Sequence, residues 1–330
     1  MTFPKSALLI AAALCLGAAG PAGAQEAPPV PSEAATGEAI TIPFAPPIGT
    51  PIAYRLRFER KRASGDSVFE VEQRLTFAKA EGGYALTFEQ MAIHVQGQRL
   101  DLSDRRVLDG VPLALRIFLL PVVVELDATG EMVRMRDWPA MQAALQGMPE
   151  AAAALSGEPM NEAALAAVRS VLDPILNGSA EDAPALMIRG WPAVLGYGGG
   201  EFVAGELLEG DTEVATPLAP TPIPAVSQGS VTRNRQGEIM LVQTTLFDPE
   251  VMRTLTLALV ERVRAQAGRT GGAKPDEELR SLNITDEVAI TFDPVTGLPI
   301  TARTTRLTNV ATSRETEVAG EVTTITRIDP

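Results

Sequence analysis

The first part of the chain alternates apolar and polar residues, which is the pattern of a sheet with one buried face. Tyr54, Leu56 and Phe58 alternate with arginine and glutamate. Side chains two residues apart share one face of a strand, so this run predicts a strand with a dry face and a wet face. Two further alternating runs follow at 69–77 and 84–95, each after a glycine-containing turn. The three runs predict an antiparallel meander.

The apolar phase slips by one residue within the third run. Apolar residues at even positions up to Phe88 are followed by Met91, Ile93 and Val95. An extra residue in one strand of an antiparallel pair shifts the phase in this way, because it is accommodated as a β-bulge. We therefore predict a bulge at Glu89-Gln90.

Strand patterns return after residue 120 and dominate the C-terminal half. A hairpin is predicted over 121–135, turned by Asp127-Ala128-Thr129-Gly130. The pattern of 111–120 fits either a strand or a short buried helix. Further strands are predicted at 201–203, 227–233, 239–247, 284–292, 298–307 and 315–328. Asp248-Pro249 predicts a helix start, with aspartate as N-cap and proline at the first helical position.

The segment from 137 to 200 interrupts the sheet pattern. Alanine and leucine dominate it, and apolar residues such as Leu165 and Leu172 recur at helical spacing. The two tryptophans of the chain, Trp138 and Trp191, each precede Pro-Ala near its two ends. We predict a helical insertion at about 137–200 that is carried by the sheet.

These patterns together predict an α+β fold. Its main element is a large curved antiparallel sheet of roughly ten strands, or an incomplete barrel, with the helical insertion and a further helix packed over it. One β-rich domain would span 52–330. Neither a βαβ alternation nor a regular repeat is present. The order of long antiparallel strands with a helical insertion resembles that of periplasmic lipoprotein carriers, and this resemblance of element order assigns no role to any residue.

Residues 1–24 have the pattern of a secretory signal peptide. Lys5 supplies the positive charge, and an apolar run leads to a small-residue cleavage site at 22–24. The apolar run is shorter than the about 20 residues that a membrane-spanning helix needs. We predict export to the periplasm, cleavage after Ala24 and no membrane span thereafter. Residues 25–51, rich in proline and alanine, are predicted to form a flexible leader.

Composition narrows the classes of partner. Without residues 1–24, 27 basic residues stand against 41 acidic ones, a net charge of −14. This charge argues against nucleic acid and anionic membrane surfaces as partners. Arginine outnumbers lysine 24 to 4 and alanine is abundant, a composition typical of high-GC bacteria, which favours the periplasm as the exported location. The single cysteine, Cys15, lies in the signal peptide, so no disulfide is expected.

No catalytic signature accompanies this architecture. His94 is the only histidine, and no G-x-S-x-G motif is present to partner it, so we predict a histidine on the polar face of its strand. One histidine and no mature cysteine nearly exclude zinc. Carboxylates are numerous enough for an acid–base pair, but sequence brings no two of them together. A carboxylate enzyme is therefore the third hypothesis, and we predict no catalytic residue, no metal and no cofactor.

A ligand site is predicted at the boundary between helices and sheet. The candidate residues are the large apolar and aromatic side chains of the insertion, of the loop after it and of the late helix: Trp138, Leu165, Leu172, Trp191, Tyr197 and Leu255. They would line an apolar cavity that holds a hydrophobic small molecule or lipid, without catalysis. Two alternatives stay open. These residues could merely pack helices onto the sheet, and the protein could be a structural or protein-interaction component of the cell envelope without a small-molecule ligand.

Overall fold

The structure of the protein is a computed structural model that describes residues 37–61, 65–95, 97–111, 116, 119–146, 176–214, 223–255, 257, 279–312 and 316–328. Its strands are β1 Ala39–Thr41, β2 Ile52–Lys61, β3 Ser67–Ala80, β4 Gly83–Val95, β5 Gln98–Asp101, β6 Val122–Asp127, β7 Met132–Met135, β8 Glu201–Val203, β9 Leu208–Val214, β10 Ile223–Arg233, β11 Ile239–Phe247, β12 Leu279–Phe292, β13 Pro299–Thr312 and β14 Thr316–Arg327. Its helices are α1 Arg105–Gly110, α2 Trp138–Gln146, α3 Ala183–Met187 and α4 at 249–255, with a 3-10 turn at Trp191–Ala193.

Twelve of the described strands form one antiparallel sheet. Its order is β7-β6-β4-β3-β2-β14-β13-β12-β11-β10-β9, and β5 pairs with β4 beside this path. Among the described residues, the end strands β7 and β9 do not pair with each other, so the sheet stays open. The predicted large antiparallel sheet is confirmed, and the predicted α+β class is corrected to a mainly β fold, because strands supply most of the described chain.

The alternation read from the sequence corresponds to two different faces of this sheet. Tyr54 and Leu56 are fully buried on one face, where Leu56 pairs with Ile325 of β14. We call this the inner face. The opposite, outer face carries charged residues that pair with one another, as Arg57 does with Glu59 and Glu70. The core of the protein therefore lies on the inner face.

Residues 183–203 cross the inner face, and we call them the cover segment. Trp191 is its central side chain, is fully buried, and lies edge-on to Tyr54 with ring centroids 4.9 Å apart. Its indole N–H donates to Gln73 Oε1 at 2.8 Å. Ile188 and Val194 are buried with it. The cover segment thus fills the inner face over the central strands.

Residues 37–51 pack against the rest of the fold, which corrects the described part of the flexible leader predicted at 25–51. β1 pairs with β8, and Ile40 and Ile42 are fully buried. Phe44 lies edge-on to Tyr84, with ring centroids 5.2 Å apart. Ile40, Ile42 and Phe44 alternate in the same way as a strand, and this signal was outweighed by the surrounding prolines. Residues 25–36 lie outside the described part of the chain.

Local predictions are confirmed in several places. The bulge in β4 is present, because Glu72 pairs with Ala92 while Gln73 pairs with Gln90, which leaves Met91 as the extra residue just after the predicted site. Asp248 caps α4 by accepting a hydrogen bond from the Glu250 N–H at 2.8 Å.

Within the part of the chain that the structure describes, no helix has the length and apolarity needed to cross a membrane.

Candidate functional site

Residues paired across neighbouring strands lie side by side on the same face, so the inner face can be read in rows. One row, which we call the polar row, runs through seven strands: Arg60, Glu321, Arg306, Asp286, Thr245, Ser227 and Gly210. The main core lies to one side of it, under the cover segment. A second apolar cluster of Ile223, Ala225, Phe247 and Met252 lies to the other side, beside α4. Charged groups therefore divide two apolar regions of one sheet face.

The charged end of the polar row is held together by short ion pairs. Arg306 donates from Nε and Nη2 to the two oxygens of Asp286, at 2.7 and 2.6 Å. Glu321 lies 2.7 Å from Arg60 Nε and 2.8 Å from Nη2 of Arg189 of the cover segment. The hydrogen bonds that Arg306 donates to Asp286 raise the pKa of Arg306 above its ordinary value, so this guanidinium stays charged. Three guanidinium groups thus face two carboxylates.

The other end of the polar row borders a cavity of about 290 Å³, which we call the inner-face cavity. It lies between the end of the cover segment and strands β9, β10 and β11, and its walls include Tyr197, Phe202, Leu208, Gly210, Leu241 and Gln243. Gly210 would present a Cβ to open space, with no atom within 4 Å. At Gly229, in contrast, a Cβ would lie 2.7 Å from the Val242 carbonyl oxygen. Gly210 and Gly229 therefore contribute no side chain to the lining of the cavity.

One wall of the inner-face cavity is polar. The Tyr197 hydroxyl donates to Gln243 Oε1 at 3.1 Å, and Gln243 Nε2 donates to Ser227 Oγ at 2.6 Å. Burial raises the pKa of Tyr197, so its hydroxyl stays protonated and can donate. The Tyr197 ring also lies 5.9 Å from that of Phe292. The cavity therefore combines apolar walls with a short relay of hydroxyl and amide groups.

A wider depression of about 740 Å³ lies where β9 and β11 end and β10 begins. Its lining includes Phe247 but also the acidic residues Asp211, Glu213 and Asp248. These carboxylates give this end of the sheet a negative rim. By the register of β9 with β10, Asp211 and Glu213 lie on the outer face of the sheet, so these two carboxylates do not belong to the inner face.

The structure gives the two tryptophans packing roles. Trp191 is fully buried between Tyr54 and Phe88. Trp138 is 2% exposed, and its indole N–H donates to the Gly178 carbonyl at 2.9 Å. Both therefore match the alternative that the aromatics pack helices onto the sheet.

The other predicted ligand-binding residues are distributed unevenly. Tyr197 lines the inner-face cavity. Leu255 packs against the second apolar cluster rather than against that cavity. Leu165 and Leu172 lie outside the described residues. Of the six predicted side chains, the structure thus brings Tyr197 alone to the inner-face cavity, within the part of the chain it describes.

Sequence reasoning missed the rest of this site. Ser227 and Gln243 carry no individual signal, because polar residues are common in antiparallel strands. A lone glycine in a strand, such as Gly210, does not by itself indicate a ligand site. A signal was present for Arg60 and Arg306. Each occupies the buried phase of its strand, two or four residues from an apolar inner-face residue, and a charge in that phase points to a buried partner.

The single histidine belongs to an outer-face cluster around Glu72. His94 Nε2 lies 3.1 Å from Glu72 Oε1, and Arg99 donates to Glu72 Oε2 from Nε and Nη2 at 2.9 and 2.7 Å. The predicted polar-face position of His94 is confirmed. Hydrogen bonds from Arg99 hold the pKa of Glu72 at about 2, below its ordinary 4.5, although burial acts in the opposite direction. This carboxylate is ionised whenever the protein is near neutral pH.

Glu72→Gln is expected to reduce the free energy of unfolding by about 2 kcal/mol at pH 7, after allowance for the solvent-exposed arginine partners. The folded-state pKa is depressed, so this stabilisation is present above pH 4.5 and is lost as the pH falls towards 2. The difference between variant and wild type, measured by urea unfolding, should therefore narrow below pH 4.5. Glu89→Gln removes a more exposed pair with Arg74 and should change stability by about 0.5 kcal/mol or less. A difference at pH 7 that persists unchanged at pH 3 would contradict this role for Glu72.

Among the described residues, no group of three or more histidine, cysteine, aspartate or glutamate side chains is arranged to hold a metal ion. The geometry on the inner face offers binding groups instead: an apolar cavity, hydroxyl and amide donors, and arginines.

Comparisons with known proteins do not identify this site. No family model and no curated protein matches the chain. A solved structure of lipovitellin, which concerns lipid–protein interactions in that protein, aligns with 86% of this chain at a TM-score of 0.39 and 9% identity. This chain covers 25% of the lipovitellin chain. A similarity of this extent establishes neither a shared family nor a shared ligand.

Proposed function

We propose that the protein is an exported, non-catalytic binding protein for an apolar or lipid-like ligand, which it holds in the inner-face cavity. The observation that carries this proposal is the cavity of about 290 Å³ between the end of the cover segment and strands β9, β10 and β11. Gly210 lies in register with the inner-face residues of β10 and β11 and adds no side chain to this cavity. Leu208, Leu241 and Phe202 surround this space.

The contrast between the two halves of the inner face supports a ligand. Over the central strands the cover segment fills the face with Trp191 and other buried side chains. Over β9, β10 and β11 a space of about 290 Å³ remains, close to the roughly 300 Å³ at which small-molecule sites begin. Burying each methylene group of a ligand would contribute about 0.8 kcal/mol. A chain of several methylene groups is therefore a sufficient ligand for this cavity.

The exported location rests on the sequence of residues 1–24. A charged start, an apolar run and the Ala22-Gly23-Ala24 site support secretion, and the arginine-rich composition supports the periplasm. Fractionation of the producing cell, with N-terminal sequencing of the recovered protein, tests this part. We expect a periplasmic protein that begins at Gln25, and a cytoplasmic protein that retains residues 1–24 would contradict it.

Gly210→Leu is expected to weaken binding of 1-decanol at least tenfold, an effect of about 1.4 kcal/mol. No atom lies within 4 Å of the Cβ position at Gly210, so we expect the fold to tolerate leucine there while its side chain occupies part of the cavity. Isothermal titration calorimetry, below the solubility limit of the alcohol, measures the affinity. Asp211→Leu adds the same side chain to the next residue of β9, on the outer face, and should leave binding unchanged.

Two results would contradict the proposed function. Wild-type protein that binds neither 1-decanol nor decanoate would favour the structural or protein-interaction hypothesis. Binding that Gly210→Leu and Asp211→Leu reduce equally would place the ligand elsewhere on the molecule.

A further inference from the structure

We infer that the ligand carries a neutral oxygen acceptor, such as the carbonyl group of a ketone or an ester, which the Ser227 hydroxyl binds while the chain occupies the apolar part of the inner-face cavity. This inference rests on the proposed function and adds the chemical class of the ligand. Its support is the direction of the hydrogen bonds on the polar wall, the position of Ser227 beside glycines, and the charge of the residues that line the cavity.

The hydrogen bonds of the polar wall leave a hydroxyl hydrogen without an acceptor. The Tyr197 hydroxyl donates to Gln243 Oε1, and Gln243 Nε2 donates to Ser227 Oγ. The amide thus uses its oxygen on one hydroxyl and its nitrogen on the other, so Ser227 accepts and still carries a hydrogen to donate. Among the described residues, none accepts that hydrogen. An oxygen atom of a ligand is the complementary partner.

Ser227 has glycines as neighbours on the inner face. Gly210 lies beside it in the polar row, across the pairing of β9 with β10. Gly229 is the next inner-face residue of β10, and both glycines line the cavity together with Ser227. Neither glycine supplies a side chain that could cover the Ser227 hydroxyl. A molecule in the cavity can therefore reach this hydroxyl.

A purely hydrocarbon ligand matches the polar wall less well than a ligand with an oxygen acceptor. Water can accept from the Ser227 hydroxyl while the cavity is open to solvent, but a ligand that fills the cavity expels this water. An alkane would then leave a desolvated donor unpaired, which is unfavourable. A carbonyl oxygen at the same place restores the hydrogen bond.

The charge of the lining favours a neutral acceptor over a carboxylate. Among the described residues that line the cavity, none is lysine or arginine, and Glu209 is the charged one. A carboxylate in the cavity would lose its water without gaining a positive partner, which is costly. Phe202, Leu208 and Leu241 provide the apolar surface for the chain. The arrangement therefore suits a neutral chain with one carbonyl or ester group.

Ser227→Ala is expected to separate a ketone from an alkane of equal chain length. The variant removes the hydroxyl donor, so it should weaken binding of 2-octanone about fivefold, the effect of one neutral hydrogen bond. It should not weaken binding of n-octane, because the alkane makes no hydrogen bond there. Headspace gas chromatography measures both affinities, since both ligands are volatile. Thr244→Val removes a hydroxyl from the outer face of β11 and should change neither affinity.

The carbonyl stretch of the bound ketone gives an independent measurement. A hydrogen bond to the oxygen weakens the C=O bond and lowers its stretching frequency. Infrared spectra of 2-octanone with a carbon-13 carbonyl should therefore show a lower frequency when the ketone is bound to wild type than when it is bound to Ser227→Ala. The same frequency in both proteins would show that Ser227 does not bind the oxygen.

The outcomes distinguish this inference from the proposed function. A general loss of packing would weaken 2-octanone and n-octane alike, so equal losses in Ser227→Ala would refute the hydrogen bond while the proposed function stands. Tighter binding of octanoate than of 2-octanone to wild type would refute the neutral class. If 2-octanone, n-octane and 1-decanol all fail to bind wild type, the proposed function fails first and this inference fails with it.

Discussion

Trp191→Ala is expected to reduce the free energy of unfolding by about 3–5 kcal/mol, the range for removal of a fully buried large aromatic side chain. Trp191 is fully buried between the Tyr54 and Phe88 rings. Its loss would leave a void on the inner face and would also leave Gln73 Oε1 without its indole donor. Urea unfolding followed by circular dichroism measures the effect without relying on tryptophan emission.

Two further variants serve as comparisons for Trp191→Ala, one at the same residue and one at an exposed leucine. Trp191→Phe keeps an aromatic ring but removes the N–H, so we expect an intermediate loss. Leu207→Ala shortens a side chain that is 66% exposed, and should change stability by about 0.5 kcal/mol or less. A loss below about 1 kcal/mol for Trp191→Ala would mean that the cover segment does not pack on the sheet as described.

Gly297→Ala is expected to reduce the free energy of unfolding by about 3 kcal/mol, because it combines backbone strain with a direct collision. Gly297 has φ +68°, and a Cβ there would lie 1.6 Å from the Pro43 carbonyl oxygen. The N-terminal segment at 37–48 could not keep its place against the β12–β13 turn. Urea unfolding measures the loss, and limited proteolysis near Pro43 should become faster in the variant.

Gly237→Ala is the matched control for Gly297→Ala. Gly237 also has a positive φ, +83°, in the turn between β10 and β11, but nothing lies within 4 Å of its Cβ position. It should therefore show the backbone strain alone, about 1 kcal/mol. Equal losses in the two variants would contradict the close docking of the N-terminal segment.

The sheet itself was predictable from local alternation, because burial of side chains in a half-buried strand repeats every two residues. Tyr54, Leu56 and Phe58 show this repeat, and so do the apolar residues of β3, β4 and β11. The pairing of β14 with β2 was not predictable in this way. It joins residues 54–61 to 320–327, and no local pattern specifies a contact between strands so distant in sequence.

The structure differs from the sequence-based interpretation at part of the N-terminal segment and in the packing of the two tryptophans. The prolines around Ile40, Ile42 and Phe44 suggested a flexible leader, yet three alternating apolar residues were enough to place this segment in the core. Similarly, Trp138 and Trp191 were chosen as ligand-binding residues because amphipathic aromatics often line cavities. Each instead satisfies its indole N–H within the protein, at Gly178 and Gln73.

The site was the least predictable part because it depends on register. Gly210, Ser227 and Arg306 become neighbours in one row only when four antiparallel pairings are fixed together. A one-residue slip in any of these strands would move its side chain to the outer face. The sequence could show that Arg306 lies in a buried phase, but not which groups it would face.

Photo-crosslinking tests the central claim most directly, namely that an apolar chain is held on the inner face of the open sheet. A decyl chain with a diazirine near its methyl end is bound and irradiated, and the adducts are mapped by mass spectrometry. We predict adducts in the peptides that contain 197–210 and 227–243, and their loss in Gly210→Leu but not in Asp211→Leu. Adducts confined to outer-face residues, or unaffected by Gly210→Leu, would contradict the claim.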